Sequence, residues 1–181
     1  MDQERLENLV LAVCEVVPPE HLSTTKLNKL LWLIDKTAFM TFGRTITGCS
    51  YLRKARGPVP QGNKDIFRQM EANGALECIR DMHRAPSASL QSVNYHGRIS
   101  ANNEVFSPEE RGVISDILQQ YGNKSTRELV DLSHDLAWAT YEDGEEIPFA
   151  AYLSSIQNEN ELDSVRRIID KAESEYLECD E

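Results

Sequence analysis

The chain has 181 residues, 40% of them hydrophobic, and a formal net charge of −11. One domain is the default at this length, with enough chain to bury a sizeable core. No apolar run approaches the roughly 20 residues of a bilayer span, and Met1-Asp2-Gln3-Glu4 is acidic where a secretion signal is basic, so a cytoplasmic protein is expected.

The apolar spacing predicts helices broken by one hairpin. Residues 2 to 17 form the first helix, with Leu6, Leu9, Val10 and Val13 on one face and Pro18-Pro19 as its stop. Thr24 or Thr25 caps a second helix that runs to about Phe42. Its stripe of Leu27, Leu30, Leu31, Ile34 and Ala38 is widened by Trp32, Leu33 and Phe39, as expected of a central helix buried on more than one side. Gly43 fits its C-terminal cap.

Residues 44 to 62 read as irregular or partly extended, and Gly57-Pro58-Val59-Pro60 is a stiff segment because each proline fixes its own φ and restricts the residue before it. A third helix follows from about Gly62 to Asn73. Leu76 to Met82 and Leu90 to Ile99 then read as a β-hairpin around Arg84-Ala85-Pro86-Ser87.

Ser107-Pro108-Glu109-Glu110 starts a helix with a capping box, burying Val113, Ile114, Ile117, Leu118 and Tyr121 and stopping at Gly122. Ser125-Thr126-Arg127-Glu128 repeats the box and opens a helix expected to bury Leu129, Leu132 and Leu136. Asp143-Gly144-Glu145-Glu146 is a polar turn, and residues 148 to 157 give a short helix. A last helix over 158–178 is expected to dock on the core through Leu162, Val165, Ile169, Ala172 and Tyr176, ahead of a frayed acidic tail at 179–181. The fold class is therefore mainly α, a single helical domain with a small antiparallel β-hairpin.

Little in the chain suggests catalysis. His134 and Asp135 are consecutive, so on a helix their side chains point about 100° apart and do not form a base–orienter pair. No serine or cysteine sits in a nucleophile motif, and no glycine-rich phosphate loop occurs. Cys14, Cys49, Cys78 and Cys179 lie far apart, and no histidine has a partner at metal-ligand spacing. No enzyme activity, cofactor or metal is expected.

Binding is the remaining class. Residues 22–100 carry 12 basic and 5 acidic side chains, whereas residues 101–181 carry 6 and 20. A basic middle between acidic ends fits nucleic acid, an acidic partner, or pairing between the two halves. A DNA-binding alternative reads helix 62–73 and the hairpin as a winged helix, with Lys64 and Arg68 toward phosphates and Arg80, Arg84 and Arg98 on the wing. The acidic C-terminal half disfavours it. The candidate partner contacts are Arg53, Arg56, Pro58, Val59 and Pro60 in the stiff loop, with Trp138 and Tyr141 downstream. For Trp138 the core-anchor reading is favoured over the partner contact, because tryptophan is highly buried on average.

Two stretches carry a resemblance. The first is Lys26-Leu27-Asn28-Lys29-Leu30-Leu31, then Gly43, Tyr51 and Gly57-Pro58-Val59-Pro60; the second is Phe106-Ser107-Pro108-Glu109-Glu110, Tyr121-Gly122, Ser125, Leu132-Ser133-His134 and Trp138. In order and spacing over about residues 24 to 153 they resemble the Panacea, or SocA-like, antitoxin domain of bacterial and phage toxin–antitoxin pairs. The matching positions are Lys26, Lys29, Leu30, Gly43, Gly57, Pro58, Val59, Ser107, Gly122, Ser125, His134 and Trp138. The resemblance implies a mostly helical, phage-associated antitoxin that neutralises a cognate toxin protein encoded beside it, or an adaptor that delivers a partner to a protease. A homodimer is left open.

Overall fold

A computed structural model describes residues 1–80 and 93–155. The Arg84-Ala85-Pro86-Ser87 turn, the helix over 158–178 and the acidic tail lie outside the described residues. The fold is mainly α with small antiparallel sheets.

Helix α1 (Gln3–Val16) starts where the Asp2 carboxylate accepts the Arg5 N–H at 3.2 Å. It buries Leu6, Leu9, Val10 and Val13 against the rest of the molecule. Helix α2 (Thr24–Phe42) is capped by Ser23, not by Thr24 or Thr25, because the Ser23 hydroxyl is the one that reaches the Lys26 N–H. Gly43 ends α2 in the left-handed conformation at φ 73°. Ten residues of α2 are buried, among them Lys26, Asn28, Lys29 and Asp35. It is the axis of the fold: α1, α4 (Pro108–Tyr121), α5 (Thr126–Ser133) and a 3₁₀ helix, Phe149–Ser155, all pack on it.

The segment after α2 is more regular than its sequence suggests. Strand β1 (Tyr51–Leu52) pairs antiparallel with β2 (Val59–Pro60) on one side and β5 (Glu146–Ile147) on the other. Buried Asp35 shapes the approach to β1, accepting the Ile46 N–H at 2.8 Å, the Thr47 N–H at 3.0 Å, the Thr47 hydroxyl and the Tyr51 hydroxyl at 2.9 Å. Burial pushes the Asp35 carboxyl up, and these bonds oppose the push.

Helix α3 (Asn63–Ala72) leads into the expected hairpin, β3 (Leu76–Arg80) with β4 (Val93–Gly97), in register from Leu76↔Gly97 to Arg80↔Val93. The Tyr95 N–H donates to the Leu22 carbonyl at 3.1 Å, tying the hairpin to the entrance of α2.

Both capping boxes form, at Ser107 with Glu110 and at Ser125 with Glu128. Glu110 does a second job. It is 1% exposed and meets Arg5 at 2.7 Å and Arg44 at 2.5 Å, joining α1, the end of α2 and α4. Burial raises its pKa, but the bonds from Arg5, the Ser107 N–H and Arg44 outweigh burial and hold the carboxyl below its ordinary value.

The helix opened by Ser125 does not run through to residue 140. It stops at His134, and Asp135 caps a new helix, α6 (Leu136–Thr140), by accepting the Trp138 N–H at 3.0 Å. This break corrects the burial expected of its leucines. Leu129 is fully buried, whereas Leu132, still within α5, is 46% exposed and Leu136, beyond the break, is 57% exposed.

Candidate functional site

The break between α5 and α6 turns Trp138 toward β1. Its indole Nε1–H donates to the Lys54 carbonyl at 3.0 Å, across 84 residues of sequence. The His134 imidazole stacks on the indole at 3.8 Å between centroids, with 8° between the planes. The Arg53 guanidinium also lies on the indole, 4.3 Å from its centroid. Asp135 is held from its other side by Lys36 at 2.7 Å, so the turn that aims Trp138 is anchored to α2.

Beneath this stack lies Lys29, 1% exposed, with its Nζ donating to the Pro58 carbonyl. Among the described residues it has no acidic partner. Burial lowers its pKa from an ordinary 10.5 to about 7. Gly57 fits here because it has no side chain: at φ 91° a Cβ would sit 2.3 Å from the Ser133 Oγ and 2.8 Å from the Lys29 Nζ. Ser133 is itself fully buried and donates to the Val130 carbonyl. Burial, then the nearby Lys29 charge, hold the His134 imidazole below its ordinary value.

The sites that sequence placed on two separate segments therefore share one surface. The chain matches the family profile described as antitoxin SocA-like, Panacea domain, over residues 27–139. It belongs to that family. No curated protein and no solved structure matches it. The Panacea match runs from α2 to α6, so it encloses Lys29, the Arg53–Pro60 loop and Trp138 together.

Within this Panacea domain the predicted contacts have different fates. Arg53 is packed on Trp138 and 3.5 Å from Asp143 rather than standing free in a basic loop. Arg56 is exposed. Pro58 and Pro60 are buried and Val59 is half-buried, so these three set the shape of the loop more than its outer surface. Trp138 and Tyr141 are both half-buried, at the boundary between core and surface.

The residues proposed for DNA are dispersed in their roles. Lys64 is exposed, Arg68 pairs with Asp65 at 3.2 Å, and Arg80 forms a bidentate pair with Glu71 at 2.8 Å for each bond. Arg84 lies outside the described residues.

The sequence singled out Lys29 and Ser133 only as parts of motifs, and His134 also as half of a rejected base–orienter pair with Asp135. For Lys29 a signal existed: a stripe wide enough to bury α2 on several sides also buries the lysine inside it. No comparable signal marks His134, whose stacking depends on the helix break.

Proposed function

We propose that this Panacea domain is an antitoxin that neutralises a toxin encoded beside it by direct, stoichiometric binding and without catalysis. Family membership supports the class. One observation carries the location: loop 53–60 and the 132–141 segment are joined into one surface at Trp138, with Leu132, Leu136 and Arg56 exposed along those same two segments. A half-buried tryptophan fixed by an arginine and a histidine suits a rigid anchor, and aromatic and arginine side chains dominate such contacts. Exposed leucines on the same segment supply apolar area that a partner can cover.

Coexpression with the neighbouring reading frame is expected to yield a co-purifying complex and to relieve growth arrest. Leu136→Asp is expected to abolish rescue while leaving the circular dichroism and melting temperature of the free protein near those of the parent. A neighbour that is harmless alone and forms no complex overturns this reading.

A further inference from the structure

Helix α6 is five residues long, Leu136–Thr140. A helix that short has little stability of its own, so its direction is set by what holds it from outside. Its start is held by Asp135, whose two carboxylate oxygens have different tasks. Oδ1 accepts the Trp138 N–H at 3.0 Å and caps the helix; Oδ2 accepts from the Lys36 Nζ at 2.7 Å and ties that cap to α2. Farther along, α6 is held by buried Ala137 and by the indole bond to the Lys54 carbonyl.

Lys36 has a defined seat. Its Nζ lies 5.7 Å from the ring centroid of Trp32 and 5.3 Å from that of Tyr152, two buried rings whose centroids are 4.1 Å apart. The ammonium thus rests against aromatic rings from α2 and from the 3₁₀ helix Phe149–Ser155. The pair with Asp135 is also sheltered. The Lys36 side chain is 26% exposed and that of Asp135 15%, against more than 70% at both ends of the Arg68–Asp65 pair, so solvent screens the Lys36 bond less.

We propose that Lys36 is a positioning residue of the Trp138 face: acting through Asp135, it fixes the angle at which α6 presents Trp138 to the partner. The inference rests on the binding reading above. It adds that the face depends on a charge in α2 and on Tyr152, a residue beyond the end of the family match at 139.

The variants separate charge from bulk. Lys36→Met keeps an apolar side chain against the rings of Trp32 and Tyr152 and leaves Asp135 able to cap α6, but it removes the bond between them. Lys36→Arg restores a donor. Asp135→Asn keeps the cap, because asparagine caps about as well as aspartate, and weakens the bond from the other side.

In the free chain, at one fixed pH, the readouts are the Trp138 indole N–H resonance, assigned with Trp138→Phe, and the His134 ring protons, which the indole stacked at 3.8 Å shifts upfield. Lys36→Met and Asp135→Asn are expected to move both signals, the double variant to move them no further than either alone, and Lys36→Arg to return them toward the parent. If the pair only braces the fold, Lys36→Met lowers the melting temperature and leaves both signals in place, which overturns the proposal.

In the complex with the neighbouring gene product, calorimetry is expected to show Lys36→Met binding about fivefold more weakly than the parent, with Lys36→Arg close to the parent. Parental affinity in Lys36→Met overturns the proposal even where the signals move, because the pose of Trp138 then has no bearing on binding. A parent chain that binds no neighbour retires the antitoxin reading instead, and the spectra alone then decide whether Lys36 sets Trp138.

Discussion

Among the charged residues that helix α2 buries, two that lie six residues apart are treated in opposite ways. Asp35, toward its C-terminal end, accepts four hydrogen bonds from the loop that leads into β1. Lys29, toward its N-terminal end, gives one hydrogen bond to Pro58 and meets no carboxylate among the described residues. The first end is a satisfied network, which holds a structure in one arrangement. The second is an uncompensated cation under the surface that carries Trp138, where a purely stabilising design would place an apolar residue. The difference separates a region built for stability from one that gives up stability beneath the proposed binding face.

The comparison predicts substitutions of opposite sign on one helix. Asp35→Ala strands two backbone N–H groups and two hydroxyls in the core, and is expected to cost about 3–5 kcal/mol in denaturant unfolding. A cost below about 1 kcal/mol would mean that the loop finds other partners and that the two ends of α2 are not so different. Gly57→Ala tests the other end. Its positive φ and the 2.3 Å approach to Ser133 leave no room for a methyl group, and a loss of about 2–3 kcal/mol is expected.

Lys29→Met keeps the length of the side chain and removes the charge, so it is expected to stabilise the fold, by about 1–2 kcal/mol near pH 7. The pH dependence identifies the cause. With a folded pKa of about 7 against an ordinary 10.5, Lys29 binds fewer protons in the folded than in the unfolded chain between these values. Stability therefore rises with pH from about 7, and the penalty is full below it. Burial raises the pKa of Cys14 to about 12 and of Cys49 to about 11, so above pH 9 these thiols act in the opposite sense. Unfolding midpoints from pH 6.5 to 8.5 should climb in the parent and flatten in Lys29→Met. A parallel climb in both chains would assign the slope to other groups.

Much of this fold is legible locally. Both capping boxes and the Gly43 stop depend on residues a few positions apart and form as read, and the hairpin forms over Leu76–Arg80 and Val93–Gly97. The errors arise where distant contacts decide. Two-residue strands such as β1 and β5 leave no alternation to detect, and they exist only because residues far apart in the chain pair. Leu132 and Leu136 fit a helical stripe, but Asp135 caps a new helix between them and both remain exposed. Of the site, Arg53 and Trp138 were visible as residue types; that one lies on the other was not.

The smallest expected effect concerns charges outside this helix. The basic middle of the sequence suggested nucleic acid as one reading, yet the fold uses much of that charge internally: Lys36 pairs with Asp135, Arg44 with Glu110, and Arg53 and Lys54 with Asp143. On α3, Arg68 is already matched by Asp65 in a pair more than 70% exposed at both ends. Lys64→Glu with Arg68→Glu is accordingly expected to change stability by less than about 0.5 kcal/mol. The parent chain is expected to give no specific shift of its own promoter fragment at physiological salt, because phosphate binding needs unpaired cations along one face and the acidic C-terminal half opposes approach. A complex tighter than about 1 μM that the double substitution abolishes would show that α3 reads DNA, and would move the function from the Trp138 face to the helix–hairpin face.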